Sequence, residues 1–330
     1  MNLFISYIRE YPVRLLHGVV ISDGVKFPIY VTYSSNHEWG VSSNINIDHN
    51  STVKKELQIE LVWMSVVDHR IYCCVTKIDL GLSNINLPNF VITAGLSPNG
   101  EVVIWLQNEI ESKILGILHG VDVTASIDDK IVYRLNLYSN KNERLCTLNQ
   151  LYTDSRKLFT YAINDSIDIV VPKKLLQNRM QQFYYRYVFQ GDFLDSAEFI
   201  PEKICLLLFD GTYSKNSNIS LTQYHLLGKP NKLSVMWRVG VTEYSVHLWF
   251  DEQRVSDVFA FLLYGDIERT ADLKFSLNIK RHKLVIELFD VIQKQSFFVP
   301  EEAYQFIVFR DGFEEFRSET YNQERGAWNW

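Results

Sequence analysis

The sequence is short of the residues that announce chemistry. Its 330 residues hold four cysteines, Cys73, Cys74, Cys146 and Cys205. None stands in a CxxC pair, which removes the usual spacing of a zinc or thioredoxin-like redox site. Cys73 and Cys74 are adjacent, so on a strand they point to opposite faces, and all four read as small buried hydrophobes. G-x-G-x-x-G, Walker A, G-x-S-x-G and H-E-x-x-H are all missing, and with them the common cofactor and hydrolase signatures. The eight histidines are scattered, with no pair at metal-ligand spacing on one element. Asp68-His69 is the most tempting acid–base pair, but it lies between two apolar runs in "SVVDHRIY" and reads as a solvated turn. Asp122 and Asp266 each stand beside a glycine, a turn composition. No catalytic residue, metal site or cofactor is expected, and the chain reads as a non-enzyme.

Other absences bound the partner and the compartment. The net charge is −6, and the basic residues form short patches such as "VKK" and "VPKK" rather than a stripe, so nucleic acid is not expected as a partner. No run of about twenty apolar residues occurs, so no transmembrane segment is expected. The start, "MNLFISYIREYPVRLLHGVVIS", has Arg9, Glu10 and Arg14 among its apolar residues and so lacks the uninterrupted core of a secretory signal. As the chain stands it is expected in the cytoplasm. A periplasmic location would require a leader or lipid anchor outside this sequence.

What is present is strand text. The apolar fraction is 47% and the aromatic fraction 14%, the composition of a folded protein. Val, Ile, Thr, Tyr and Phe are frequent, and they suit a half-buried pleated surface. Strands are expected at Val13 to Ile21, Phe27 to Tyr33, Leu57 to Ser65, Ile71 to Ile78, Phe90 to Leu96 and Glu101 to Leu106. Later ones are expected at Ile204 to Phe209, Leu233 to Val239, Ser245 to Phe250, Leu273 to Ile279, Leu284 to Leu288 and Gln305 to Arg310. "NEIESKILGILHG" and "DEQRVSDVFAFLLYG" each place apolar residues on one helical face. Both are expected as helices, with a strand as the alternative, and Asp251 is an acceptable cap for the second. "PKKLLQNRMQQFY" is a further helix candidate, and "PEEAYQ" a short one.

The chain also writes similar phrases twice. "VVIWLQNEIESKILGILHGVDV" from Val102 resembles "VHLWFDEQRVSDVFAFLLYGDI" from Val246, which aligns Trp105 with Trp249 and Gly120 with Gly265. Further anchors follow in order. Pro12 pairs with Pro201, Asp23-Gly24 with Asp210-Gly211, Pro172 with Pro300, and Phe189 and Phe193 with Phe309 and Phe313. An internal duplication is expected, with a boundary near Asp195 to Phe199. The expected fold is therefore β-rich α+β: two tandem related domains, 1–195 and a shorter 196–330, of mainly antiparallel sheet with a few short helices.

One stretch is rich in interface residues: "FRDGFEEFRSETYNQERGAWNW" mixes acids, Arg and aromatics without a clear period, the last two being types that carry binding energy at protein interfaces. Glu314, Glu315, Glu319, Glu324 and Trp328 are the candidate partner-binding residues. Packing of the tail onto the core of its own domain is the alternative.

Pro12 before a strand, Trp63-x-Ser65 leading into "RIYCCV", and a core of Gly95, Pro98, Gly100, Val102, Ile104, Trp105 and Leu106 together resemble a bacterial family catalogued as domain of unknown function number 2931. The similarity covers mainly residues 1 to about 123. Several members of that family are similar to immunity proteins encoded beside type VI secretion lipase effectors, often as periplasmic lipoproteins, whereas the start of this sequence is not expected to act as a leader and offers no lipid-accepting Cys. The resemblance implies a non-catalytic, immunity-type inhibitor that binds a protein toxin encoded by a neighbouring gene. A carbohydrate- or cell-surface-binding module is the alternative, favoured by the many Tyr and Trp.

Overall fold

The computed structural model describes residues 3–8, 10–22, 24–29, 39–40, 56–79, 91–127, 148–159, 171–191, 203–215, 223–260, 262 and 269–321. The chain divides into two compact units, Met1–Leu176 and Gln177–Trp330.

The first unit holds β1 (Leu3–Tyr7), β2 (Val13–Ser22), β3 (Val25–Pro28), β4 (Glu56–Ser65), β5 (Ile71–Asp79), β6 (Val91–Leu96), β7 (Glu101–Gln107), β8 (Ser112–His119) and β9 (Val121–Asp122), followed by helix α1 (Leu148–Leu158). One sheet has the order β1-β6-β7-β8 and the other β3-β2-β4-β5-β9. Alternation along each strand sends one set of side chains inward. Ile92, Ala94 and Leu96 of β6 and Leu57, Ile59, Leu61 and Trp63 of β4 share one core.

The second unit holds β10 (Gln182–Gly191), β11 (Lys203–Leu208), β12 (Tyr213–Lys215), β13 (His225–Gly228), β14 (Pro230–Val239), β15 (Thr242–Phe250), β16 (Thr270–Asn278), β17 (Lys283–Asp290), β18 (Gln295–Phe298), β19 (Tyr304–Arg310) and β20 (Phe313–Arg317). Helix α2 (Leu175–Arg179) precedes β10, and α3 (Glu252–Ala260) follows β15. Its sheets run β13-β10-β16-β17-β18 and β12-β11-β14-β15-β19-β20, again around one core, which also takes Val255 and Phe259 of α3.

The two units repeat one strand plan. The first strand of each, β1 or β10, pairs in parallel with the leading strand of a three-strand meander, β6-β7-β8 or β16-β17-β18. The second strand, β2 or β11, sits between a short hairpin partner, β3 or β12, and a long one, β4 or β14. The sheet then continues through β5 or β15 to β9 or β19. Among the described strands every pairing except β1–β6 and β10–β16 is antiparallel. Gly24 and Gly211 both take a left-handed backbone, φ 75° and 83°, in the turns that close the two short hairpins; Gly adopts this conformation at little cost. The equivalence of Gly24 with Gly211 fits this plan, and Asp23 lies outside the described residues.

The pairing of Trp105 with Trp249 does not fit. Trp105 lies on β7, whose counterpart is β17, and Trp249 on β15, whose counterpart is β5. Strand–turn–strand text looks alike wherever it occurs, and the two phrases matched for that reason. The tryptophans that do correspond are Trp63 on β4 and Trp237 on β14. Each is opposite a tyrosine in register, Tyr72 or Tyr244, and stacks on it at 5.6 Å between ring centroids. Phe189 and Phe309 are likewise not equivalent, since β10 and β19 belong to different sheets. Phe193, Gly265 and the expected boundary near Asp195 to Phe199 lie outside the described residues. The contacts divide the chain earlier, because β10 pairs with β16 and so belongs to the second unit's sheet.

The expected strands are present, the described part of Phe27 to Tyr33 forming the end of β3. "NEIESKILGILHG" is a strand, β8, and not a helix. "DEQRVSDVFAFLLYG" is helix α3, and Asp251 caps it by accepting from the Arg254 N–H at 3.0 Å. Of "PKKLLQNRMQQFY" only Leu175–Arg179 is helical, and Glu301–Ala303 forms a single 3-10 turn.

Candidate functional site: an acidic edge strand

The candidate surface is built by two tight turns. β19 and β20 pair with Arg310 opposite Phe313, leaving Asp311 and Gly312 as a two-residue loop. Both have positive φ, 50° and 82°, the requirement of a type I′ hairpin turn. Asp311 is also fastened to β15: its N–H donates to the Glu243 carbonyl at 2.8 Å, and its carboxylate accepts from the Glu243 N–H at 2.9 Å. Past the strand, the Ser318 N–H donates to the Phe306 carbonyl at 2.9 Å, and the Ser318 hydroxyl accepts from the Phe306 N–H at 3.1 Å.

Between these anchors the register shifts. Phe309 faces Glu314 and Val308 faces Phe316, so Glu315 is the extra residue of a β-bulge, a device that re-aims side chains at sheet edges. Phe316 turns into the core while Phe313, Glu314, Glu315 and Arg317 stay exposed. Phe313 is 78% exposed, high for so large an apolar ring on an ordered strand. β20 ends its sheet and pairs with β19 alone among the described strands, which leaves it an edge with backbone groups available to a partner.

Of the expected site residues, the structure brings Glu314 and Glu315 together on β20 and places Glu319, also exposed, just beyond its end. Glu324 and Trp328 lie outside the described residues. Glu314 is paired with Arg317 at 2.6 Å. Among the described residues Glu315 and Glu319 have no ion pair, so they carry the net negative charge of this edge. The sequence reading passed over Phe313, Arg317 and Tyr321. Arg317 lies over the Tyr321 ring at 5.3 Å, and that ring packs edge-on against Trp249 at 5.7 Å. Trp249 and His247 stand on the face of β15 opposite Val246, Leu248 and Phe250, which enter the core. Burial lowers the His247 pKa to about 4.

The other candidates have partners of their own. Asp68 and His69 sit in the β4–β5 turn, with Arg70 3.9 Å from both Asp68 and Asp122 and the His69 ring stacked on Tyr152. Cys73, Cys74 and Cys205 are free thiols, and burial raises the pKa of the first two; Cys146 lies outside the described residues. Lys229, 1% exposed, donates to the Ser256 hydroxyl at 2.8 Å and the Asn178 carbonyl at 2.7 Å. A Ser beside a Lys is one arrangement for nucleophilic catalysis. This ammonium is shared with a backbone carbonyl and ties the end of α2 to α3. Among the described residues no cluster of His, Cys, Asp or Glu is placed to hold a metal ion, and no helix is long and apolar enough to cross a membrane. Trp39, Trp63, Trp105, Trp237 and Trp249 are all buried, so these tryptophans offer no exposed platform for a sugar.

No protein-family model, curated protein or solved structure matches this chain.

Proposed function

We propose that this chain acts by binding rather than by catalysis, as an immunity-type inhibitor that neutralises a bacterial protein toxin. The observation that carries the reading is β20, an edge strand held rigid at both ends that presents an exposed Phe313 beside Glu315 and Glu319. An exposed aromatic ring supplies an anchor of the kind that dominates interface energy. The carboxylates beside it, which have no ion pair among the described residues, favour a partner with a basic face and speed its encounter. The resemblance of the "GLSPNGEVVIWL" region to the bacterial family described above points the same way.

The test is co-expression with the effectors encoded by neighbouring genes, reading survival and complex formation. The wild type protects against one of them. Phe313→Ala weakens that complex about 30-fold, the equivalent of about 2 kcal/mol. Full protection by a variant with Glu314, Glu315, Glu319 and Glu324 all changed to Gln removes this surface from the proposal. Absence of protection by the wild type against every neighbouring toxin removes the immunity reading.

A further inference from the structure

The outward face of the sheet β13-β10-β16-β17-β18 carries polar side chains that neither the core nor the acidic edge uses. Register places them on a diagonal. Tyr184 opens it on β10, and Arg186, two residues on, faces Asp272 of β16. Lys274, two residues further, faces Glu287 of β17, and Glu287 faces Phe298 of β18. From Tyr184 to Phe298 the path crosses three strand spacings and four residues of rise, about 20 Å by strand geometry. Its two ends are exposed rings, Tyr184 at 40% and Phe298 at 64%.

Between the rings lie two ion pairs that are already complete. Arg186 grips Asp272 with two nitrogens, at 2.7 and 3.3 Å, and Asp272 also accepts from the Tyr224 hydroxyl at 3.0 Å. Lys274 lies 3.5 Å from Glu287, which accepts from the Ser296 hydroxyl as well. The charges cancel, two against two. Arg186, Lys274 and Glu287 remain partly open, at 31%, 17% and 20%, while Asp272 is nearly closed at 11%.

This arrangement discriminates among ligands. A charged partner would have to draw one member from its pair and leave the other uncompensated, which is costly. An apolar partner would cover four ionised groups and return no hydrogen bonds to them. A neutral polyhydroxyl ligand keeps both pairs intact, because the partly open Glu287 carboxylate has about four acceptor positions and its bonds from Lys274 and Ser296 do not fill them. Its C–H faces can lie on the electron-rich faces of the two end rings. We infer that this diagonal is a binding surface for a neutral oligosaccharide, at a place separate from the acidic edge and independent of the toxin reading.

The experiment is isothermal titration of the full chain with cellohexaose, maltohexaose, mannohexaose and chitohexaose, with hexaguluronate as an anionic probe. Tyr184→Ala and Phe298→Ala serve as variants, and circular dichroism reports that both keep the fold, since each removes an exposed ring. The expected result is binding of at least one neutral sugar, with affinity unchanged by salt and reduced at least tenfold in either variant. Glu315→Gln leaves it unaltered. Failure of all four neutral sugars to bind, equal binding by the variants, or binding of hexaguluronate alone overturns the inference. Loss of a protein complex in the two variants without any sugar binding also overturns it, and makes the face a protein contact.

Discussion

Trp63 and Trp237 are expected to respond to mutation alike if the repeated strand plan is correct. Each is essentially unexposed, 0% and 1%, each belongs to its unit's core, and each stacks on the tyrosine opposite. Truncating a buried Trp to Ala costs about 3–5 kcal/mol through lost transfer energy and the cavity left behind. Trp63 has one further interaction, an indole N–H donated to the Ser97 carbonyl at 3.0 Å. Trp63→Phe, which keeps a ring but leaves that carbonyl with only the longer bond from the Gly100 N–H, 3.3 Å, should cost about 1–3 kcal/mol through the lost bond and the volume vacated. The decisive measurement is a pair of double-mutant cycles, Trp63 with Tyr72 and Trp237 with Tyr244, read by urea unfolding followed by circular dichroism. Both should give a favourable coupling of about 0.5–1.5 kcal/mol. A loss under about 1 kcal/mol for either Trp→Ala variant, or couplings of opposite sign, would show that the two positions are not equivalent and that the shared topology conceals different packing.

Three further outcomes are expected. Because burial lowers the His247 pKa to about 4 from 6.5, the unfolded state binds the proton more readily; stability should be full above pH 6.5 and fall by up to about 3 kcal/mol as pH drops towards 4. His17, also lowered by burial, adds in the same direction, and His247→Gln should flatten most of the slope, an unchanged slope refuting the assignment. At the buried Asp210, whose carboxyl pKa burial raises, Asp210→Asn keeps both bonds from Thr212 and, with the Gln182 amide turned so that its oxygen accepts from the new amide, should be neutral or stabilising by about 1 kcal/mol at pH 7; Gly228→Ala, whose new methyl would lie 2.6 Å from that carboxylate, should cost about 1–3 kcal/mol, and urea midpoints check both. Glu315→Lys should slow association with a basic toxin about tenfold at low salt while leaving dissociation nearly unchanged, measured by stopped-flow; equal rates would place the contact elsewhere.

The local hairpins could be read from the sequence, and the wider arrangement could not. Asn99-Gly100 and Asp210-Gly211 are legible turn cues, because few residues other than Gly accept the backbone they need, φ 85° at Gly100 and 83° at Gly211. The same cue at Asp311-Gly312 was present in "FRDGF" and would have located β20. β8 was mistaken for a helix for a definable reason. A register shift sets Ile104 opposite Gly116 and Trp105 opposite Ile114, so Leu115 is an extra residue. That bulge breaks the two-residue alternation and spaces Ile110, Ile114, Ile117 and Leu118 at helical intervals. The parallel pairings β1–β6 and β10–β16 join strands far apart in the chain, Leu3 with Ile92 and Tyr184 with Thr270, and no local pattern encodes them. The ion-paired diagonal is spread over strands for the same reason: Arg186, Asp272 and Glu287 look like ordinary surface charges until register aligns them.

The repeated plan also separates scaffold from addition. Where the first unit has β9, two residues long, the second has β19, seven residues long. That extra length is what allows the chain to turn at Asp311-Gly312 and lay down β20, so the acidic edge depends on a strand extended beyond what the shared plan supplies. β13 is a second element without a counterpart among the first unit's described residues. It pairs along β10 and widens the sheet whose outward face bears the two ion pairs. Function is commonly carried by such elaborations, because a scaffold strand must first satisfy its own core and neighbours, whereas an appended strand has one face or one edge without that constraint. Both surfaces proposed for binding lie on the second unit, and each adjoins an element for which the first unit shows no counterpart among its described residues. If the additions rather than the plan carry function, the first unit's β8 and β9 should tolerate polar substitution at exposed positions with little effect on any binding, while changes at β20 or on the β10 face should be felt at once.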